Sequence, residues 1–147
     1  MTAPVDSAVH AWARLVRAHR AALATVEGHL KAARLPPLAW YDALLELERA
    51  GEAGLRPFEL QQAMLLAQYN LSRLADRLEA AGYIARTASE DDGRGHRLTI
   101  TAAGLAVRKE MWPVYAAAIE LAVGARLSDA EARTLGDLLQ KLYAPGA

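Results

Sequence analysis

Residues 68–101 read QYNLSRLADRLEAAGYIARTASEDDGRGHRLTIT, and the change of period inside this stretch decides the fold. Gln68 to Ala81 carries Leu71, Leu74, Leu78 and Ala81 on one face, the three- and four-residue spacing of a helix. Gly82 follows, where a left-handed cap costs glycine least. Tyr83–Thr87 and Arg97–Thr101 then show β-branched residues and partial alternation, the pattern of two short strands. The residues between them, SEDDGRGH, are turn-rich and charged, so the pair predicts a β-hairpin with a long loop.

Upstream of this stretch, Pro57 suits the first turn of a short helix running to about Leu65 or Leu66. AWYDALLELERA (39–50) predicts another, with Trp40, Leu44, Leu45 and Leu47 inward, and Gly51–Gly54 a loop after it. Residues 6–33 predict one long helix, begun by Asp6 or Ser7 and stopped by Leu35-Pro36-Pro37. Its stripe is Val9, Trp12, Leu15, Val16, His19, Leu23, Val26 and Leu30. Downstream, Thr101 can cap a helix over about 102–124, kinked by Pro113 near Met111 and Trp112. Ser128-Asp129-Ala130-Glu131 is a capping-box pattern opening a last helix striped by Leu135, Leu138, Leu139 and Leu142.

The composition closes off other classes. Lys plus Arg equals Asp plus Glu, 17 against 17, which excludes a bulk polycation or an acidic tail. The absence of Cys removes disulfides, thiolate metal sites and thiol redox sensing. No apolar run is long enough for a membrane span, and Arg and His interrupt the N-terminal segment where a signal peptide needs apolar residues, so a cytoplasmic protein is expected. His10, His19 and His29 are nine and ten residues apart. The first pair falls on opposite helix faces and the second is separated by about 15 Å, so no shared metal is expected. There is no Gly-rich phosphate loop, nucleophile elbow or HExxH, and Glu46-Leu47-Glu48 and Glu90-Asp91-Asp92 have no partner base, so neither catalysis nor a cofactor is expected.

Four helices, a hairpin and two helices form a mainly α chain in which a short helix pair runs straight into a hairpin. That is the order of a winged helix-turn-helix, whose second helix enters the DNA major groove. The first and last helices have apolar stripes without a partner in so small a unit, which points to pairing of two chains in a two-fold dimer.

At this level the chain resembles the MarR family of bacterial transcriptional regulators. The resemblance rests on NLSRLADRLEAAGYIAR (70–86), on Asp92-Gly93-Arg94 and on Leu98-Thr99-Ile100-Thr101-Ala102-Ala103-Gly104, all in register. It implies a single domain over 1–147, with dimerisation helices at 6–33 and 102–143 and a DNA-binding lobe at 37–101. It implies a repressor on a pseudo-palindromic operator, released by a small, often aromatic, effector.

The candidate DNA-binding residues are Gln68, Tyr69, Asn70, Ser72, Arg73 and Arg77 on the helix, and Asp92, Arg94, His96 and Arg97 in the wing. Gln68, Asn70 and Arg73 are the first choices for reading bases, because such contacts come from the N-terminal part of the helix. By resemblance Arg94 enters the minor groove and Asp92 holds Arg77 against the wing. Candidate effector residues are Trp12, Arg14, His19, Trp40, Tyr41 and Trp112, rings to stack on a ligand and cations to take its carboxylate.

One departure stands out: six arginines and six carboxylates balance over 55–100. The alternative reading is therefore a winged-helix module for protein contacts with weakened DNA binding.

Overall fold

The computed structural model describes residues 1–88 and 95–144. In chain order the elements are α1 (Asp6–Ala32), α2 (Leu38–Ala50), a 3-10 turn (Gly51–Ala53), α3 (Pro57–Ala63), α4 (Leu71–Ala80), β1 (Ile84–Ala88), β2 (His96–Ile100), α5 (Ala102–Ile119), a π-helical turn (Glu120–Gly124) and α6 (Asp129–Tyr143). This is a mainly α chain with a two-stranded antiparallel wing, the fold expected from the periodicity.

The chain divides into two compact units, residues 30–114 and residues 1–29 with 115–147. The first holds the winged helix-turn-helix. Leu44 and Leu47 of α2, Leu60 of α3, Leu78 of α4, Leu98 of β2 and Met111 of α5 are fully buried. Each such side chain contributes about 1.5–3 kcal/mol. Leu71, Leu74, Ala75 and Ile84 complete this core.

The wing is registered by Ile84 opposite Ile100, Arg86 opposite Leu98 and Ala88 opposite His96. On its other side Leu98 exchanges both backbone hydrogen bonds with Leu55, at 2.7 and 3.0 Å. Gly54 precedes that bridge with φ +66°, and a Cβ there would lie 2.5 Å from the Leu98 carbonyl oxygen.

The end of α4 explains why each strand sits one residue nearer the wing tip than the predicted segment. Tyr83 N–H donates to the Leu78 carbonyl and Gly82 N–H to that of Glu79, both at 2.9 Å, with Gly82 at φ +82°. This is a Schellman cap, and it takes Tyr83 out of the strand. Thr101 is taken out at the other end. Its hydroxyl donates to the Gly82 carbonyl at 2.6 Å and accepts from Gly104 N–H at 3.1 Å, so it caps α5.

Two helix boundaries depart from expectation by more. α3 stops at Ala63 rather than near Leu65, because Met64 turns extended. α4 begins at Leu71 rather than Gln68, with Asn70 as its N-cap. α5 stays α-helical through Pro113 and widens only at Glu120, whose carbonyl accepts from Ala125 N–H at 2.7 Å.

In the second unit the Ser128 capping box forms in both directions, at 2.9 and 3.1 Å. The Ser128 backbone N–H, and after it the hydroxyl, holds the Glu131 carboxyl below its usual range. The apolar residues of this unit are largely uncovered. Val5, Val9, Trp12 and Val16 of the N-terminal segment and Leu135, Leu138 and Leu142 of α6 are all exposed. A groove of about 580 Å³ runs between Ala11, Arg14, Leu15 and Ala18 on α1 and Leu135, Leu138, Leu139 and Leu142 on α6.

Gly104 is the tightest point of the wing junction, since a Cβ on it would stand 2.1 Å from the Tyr83 carbonyl oxygen. Gly104→Ala is expected to cost about 1–3 kcal/mol. At roughly 2–4 °C per kcal/mol, the melting temperature drops by several degrees in a thermal scan at fixed protein concentration.

Candidate nucleic-acid interface

The outer face of α4 follows from its alternation of apolar and polar residues. Leu71, Leu74, Ala75 and Leu78 are buried, which leaves Ser72, Arg73, Asp76 and Arg77 facing solvent. Arg73 and Arg77 make no ion pair with any described residue. Tyr69 is fully exposed and Gln68 half-buried.

Asn70 has a different local duty from the one expected of it. Its side-chain oxygen accepts the Arg73 N–H at 3.0 Å, which caps α4. This satisfies one of the orphan donors of the first turn and leaves only the amide N–H₂ for an outside partner.

Together these residues bound a groove of about 300 Å³. It is lined by Pro37, Ala39 and Trp40 at the start of α2, by Ala67–Asn70, and by Arg73, Leu74 and Arg77. Trp40 packs edge-on against Tyr83, with ring centroids 6.0 Å apart at 75°.

The approach to α4 is set by a carboxylate that sequence periodicity passed over. Asp42 of α2 is 6% exposed and is the only charged residue buried among the described residues. One of its oxygens accepts Leu65 N–H at 2.9 Å and the other Leu66 N–H at 2.7 Å. The two donors lie in the linker between α3 and α4. This explains why α3 ends early: its next two N–H groups turn to a side chain rather than back to the helix. The signal available in the sequence was a carboxylate on the apolar stripe, since Asp42 falls between Leu38 and Leu45 at steps of four and three.

Among the described residues, the wing is fastened by an arginine that the sequence did not single out. Arg86 of β1 reaches Asp76 at 2.6 Å and Glu79 at 3.6 Å, tying the strand to α4. The expected tie between Asp92 and Arg77 lies outside the described residues, as do Glu90, Asp91 and Arg94. His96 is half-buried at the start of β2. Arg97, expected at DNA, instead lies 3.8 Å from Glu59 of α3, so part of its charge is compensated within the lobe. Glu59 in turn accepts the Arg56 N–H at 2.8 Å at the start of α3.

Of the six effector candidates, Trp40, Tyr41 and Trp112 belong to the winged unit. Trp40 and Tyr41, adjacent on α2, face different neighbours. Trp40 lines the groove beside α4, whereas Tyr41 is buried and stacks on Trp112 at 6.2 Å and 23°. Arg108 lies 5.8 Å from the Tyr41 ring centre and pairs with Glu48. Trp12, Arg14 and His19 belong to the other compact unit, Trp12 and His19 exposed and Arg14 lining the groove with α6. No group of three metal-ligating side chains is found among the described residues. Nor is any described helix long and apolar enough to cross a membrane.

Arg86→Ala should loosen the wing alone. The ion pairs are partly exposed, so the loss in global stability is expected to be at most about 1 kcal/mol. Amide exchange across Ile84–Ala88 should quicken while α6 is unaffected, and unchanged exchange in β1 would contradict the role given to this arginine.

Residues 35–95 match the family model described as MarR family. The HTH-type transcriptional regulator PapX of Escherichia coli is 36% identical over 63 residues, covering 43% of this chain. The match spans 37% of PapX's own length. Two solved structures carry the same fold across nearly the full chain. Sco3205 of Streptomyces coelicolor, a MarR family transcriptional regulator crystallised with DNA, aligns over 100% of this chain and 96% of its own, at a TM-score of 0.84 and 22% identity. BpsR of Bordetella bronchiseptica, whose DNA binding is regulated by 6-hydroxynicotinic acid, aligns over 97% and 99%, at 0.81 and 22%. Residues 35–95 are thus similar in sequence to the MarR family, and the fold is that of the solved MarR family regulators.

Proposed function

We propose that the protein is a homodimeric DNA-binding transcriptional regulator that represses by occupying a pseudo-palindromic operator and is released by a small, aromatic effector. The observation that carries DNA binding is the outer face of α4, where Arg73 and Arg77 stand exposed with no carboxylate of a described residue against them. The opposite face is sealed by Leu71, Leu74 and Leu78. Arginine forks onto guanine edges or phosphate oxygens, and Gln68, Ser72 and Tyr69 lie at the same end of the helix. Arg94 adds a cation to the wing by resemblance, suited to a narrow minor groove.

Dimerisation is supported by the uncovered apolar residues of α1 and α6. A second copy covers such a face and places two α4 helices on half-sites about one helical turn apart. Release by an effector is supported by the relation to BpsR, and it requires the ligand to bind the DNA-free arrangement more tightly.

The balanced charge over 55–100 favours a second reading, a protein-contact module. Selection of duplexes from a random pool, followed by binding at graded salt, separates the two. A preferred duplex is expected, with a salt slope no steeper than about −5, since some three cations per lobe meet phosphates. Enrichment of no sequence at low salt would remove the regulator reading. Arg94→Ala should weaken binding to the selected duplex about tenfold, with dimer mass and melting temperature unchanged. Leu138→Glu should convert the dimer to a 15.9 kDa monomer in sedimentation, and an unchanged profile would exclude α6 from the interface.

A further inference from the structure

The seven residues from Met64 to Asn70 join α3 to α4, and only the two at the ends take part in helical hydrogen bonds, Met64 N–H to Leu60 and the Asn70 carbonyl from Leu74. They contain no glycine or proline. Their side chains do little to anchor them: Met64 is buried, but Leu65 is 78% exposed and Tyr69 and Asn70 are also exposed. Two side chains from outside hold the linker. Gln61 donates to the Gln68 carbonyl at 3.1 Å from an exposed position on α3. Asp42 takes the consecutive N–H groups of Leu65 and Leu66, one on each oxygen.

From this geometry we infer that Asp42 is a positioning residue for sequence-specific DNA reading. Its carboxylate fixes where the linker leaves α2, and thereby where Gln68, Tyr69 and the first turn of α4 stand. The inference rests on the DNA-binding reading above. Only Ala67, Gln68 and Tyr69 separate the held amides from the Asn70 cap, so a shift at Leu66 passes directly into the helix start. The anchor itself cannot drift, because the neighbouring Ala43, Leu44 and Leu47 of α2 are fully buried.

A buried carboxylate is a poor choice for stability alone, since an apolar residue of similar volume often serves better there. What it supplies is direction. Two charge-assisted bonds, each at a preferred angle, admit one linker path and penalise others. Leu65 illustrates the result: its amide is held inward while its side chain stays in water.

Asp42→Asn tests this with little change of volume. The amide keeps one accepting oxygen and turns an N–H₂ toward the other backbone donor. Wild type and variant are compared on the duplex selected by wild type and on a scrambled duplex of equal length. Amide exchange is followed at Leu65 and Leu66. The ratio of selected to scrambled affinity is expected to fall about tenfold or more. Scrambled-duplex affinity, set by the phosphate contacts, should stay within about twofold. Exchange at Leu65 and Leu66 should quicken while Leu44 and Leu78 remain protected.

Equal discrimination by both proteins overturns the inference and leaves the DNA-binding reading standing. A parallel loss on both duplexes with a lowered melting temperature also overturns it, assigning Asp42 to folding alone. If wild type selects no duplex, the DNA-binding reading fails, and this inference with it. Should Asp42→Asn not fold, Asp42→Ser, which keeps one hydroxyl acceptor, is put through the same measurements under the same criteria.

Discussion

The hydroxyl of Thr101 joins three elements at one atom. It donates to the carbonyl of Gly82, which closes the Schellman cap of α4, and accepts from Gly104 in the first turn of α5. The wing lies between these two residues in sequence. Its ends are therefore brought together by the same bond that ends one helix and starts the next. Gly82 must be left-handed to present that carbonyl, and Gly104 must lack a Cβ to approach Tyr83. Three residues of the family-like segment thus have one physical explanation, a closely packed corner in which each backbone group finds a partner.

The other end of α4 is governed by side chains rather than by a tight backbone turn. Asn70 caps the helix and Asp42 holds the linker before it. α4 is thereby secured at both ends while its middle turns remain exposed on one side. The charges of the lobe divide in the same spirit. Arg86 and Arg97 are turned toward carboxylates of the lobe, whereas Arg73 and Arg77 meet none among the described residues. Residues 55–100, with zero net formal charge, can in this way still present a cationic face, because pairing of opposite charges is local and its distribution matters more than its sum. The proposed reading of DNA depends on that distribution.

Much of the fold was legible because its causes are local. Helical periodicity located α1, α2 and α6, and the Ser128 box and the Gly82 cap act within a few residues of the chain. The hairpin was legible from the change of period at Gly82, within one residue at each strand. The candidate site was legible only in part. Arg73, Arg77 and Ser72 were named on the helix and do face outward, while the cap made by the Asn70 oxygen and the Arg97–Glu59 contact were not foreseen. Trp40 and Tyr41, adjacent in sequence, meet different partners, since neighbours on a helix point about 100° apart.

The sequence by itself determined the order of elements, the capping residues and the two glycines of the wing corner, because each answers to hydrogen bonds or sterics a few residues away. Only the tertiary structure decided where α3 ends and how Arg86 and Arg97 are paired. Those outcomes turn on Asp42, Asp76, Glu79 and Glu59 meeting groups 7 to 38 residues distant in the chain. A helix propensity extends as far as its N–H groups lack a better acceptor, and a buried carboxylate brought in from another helix is one that no local pattern announces.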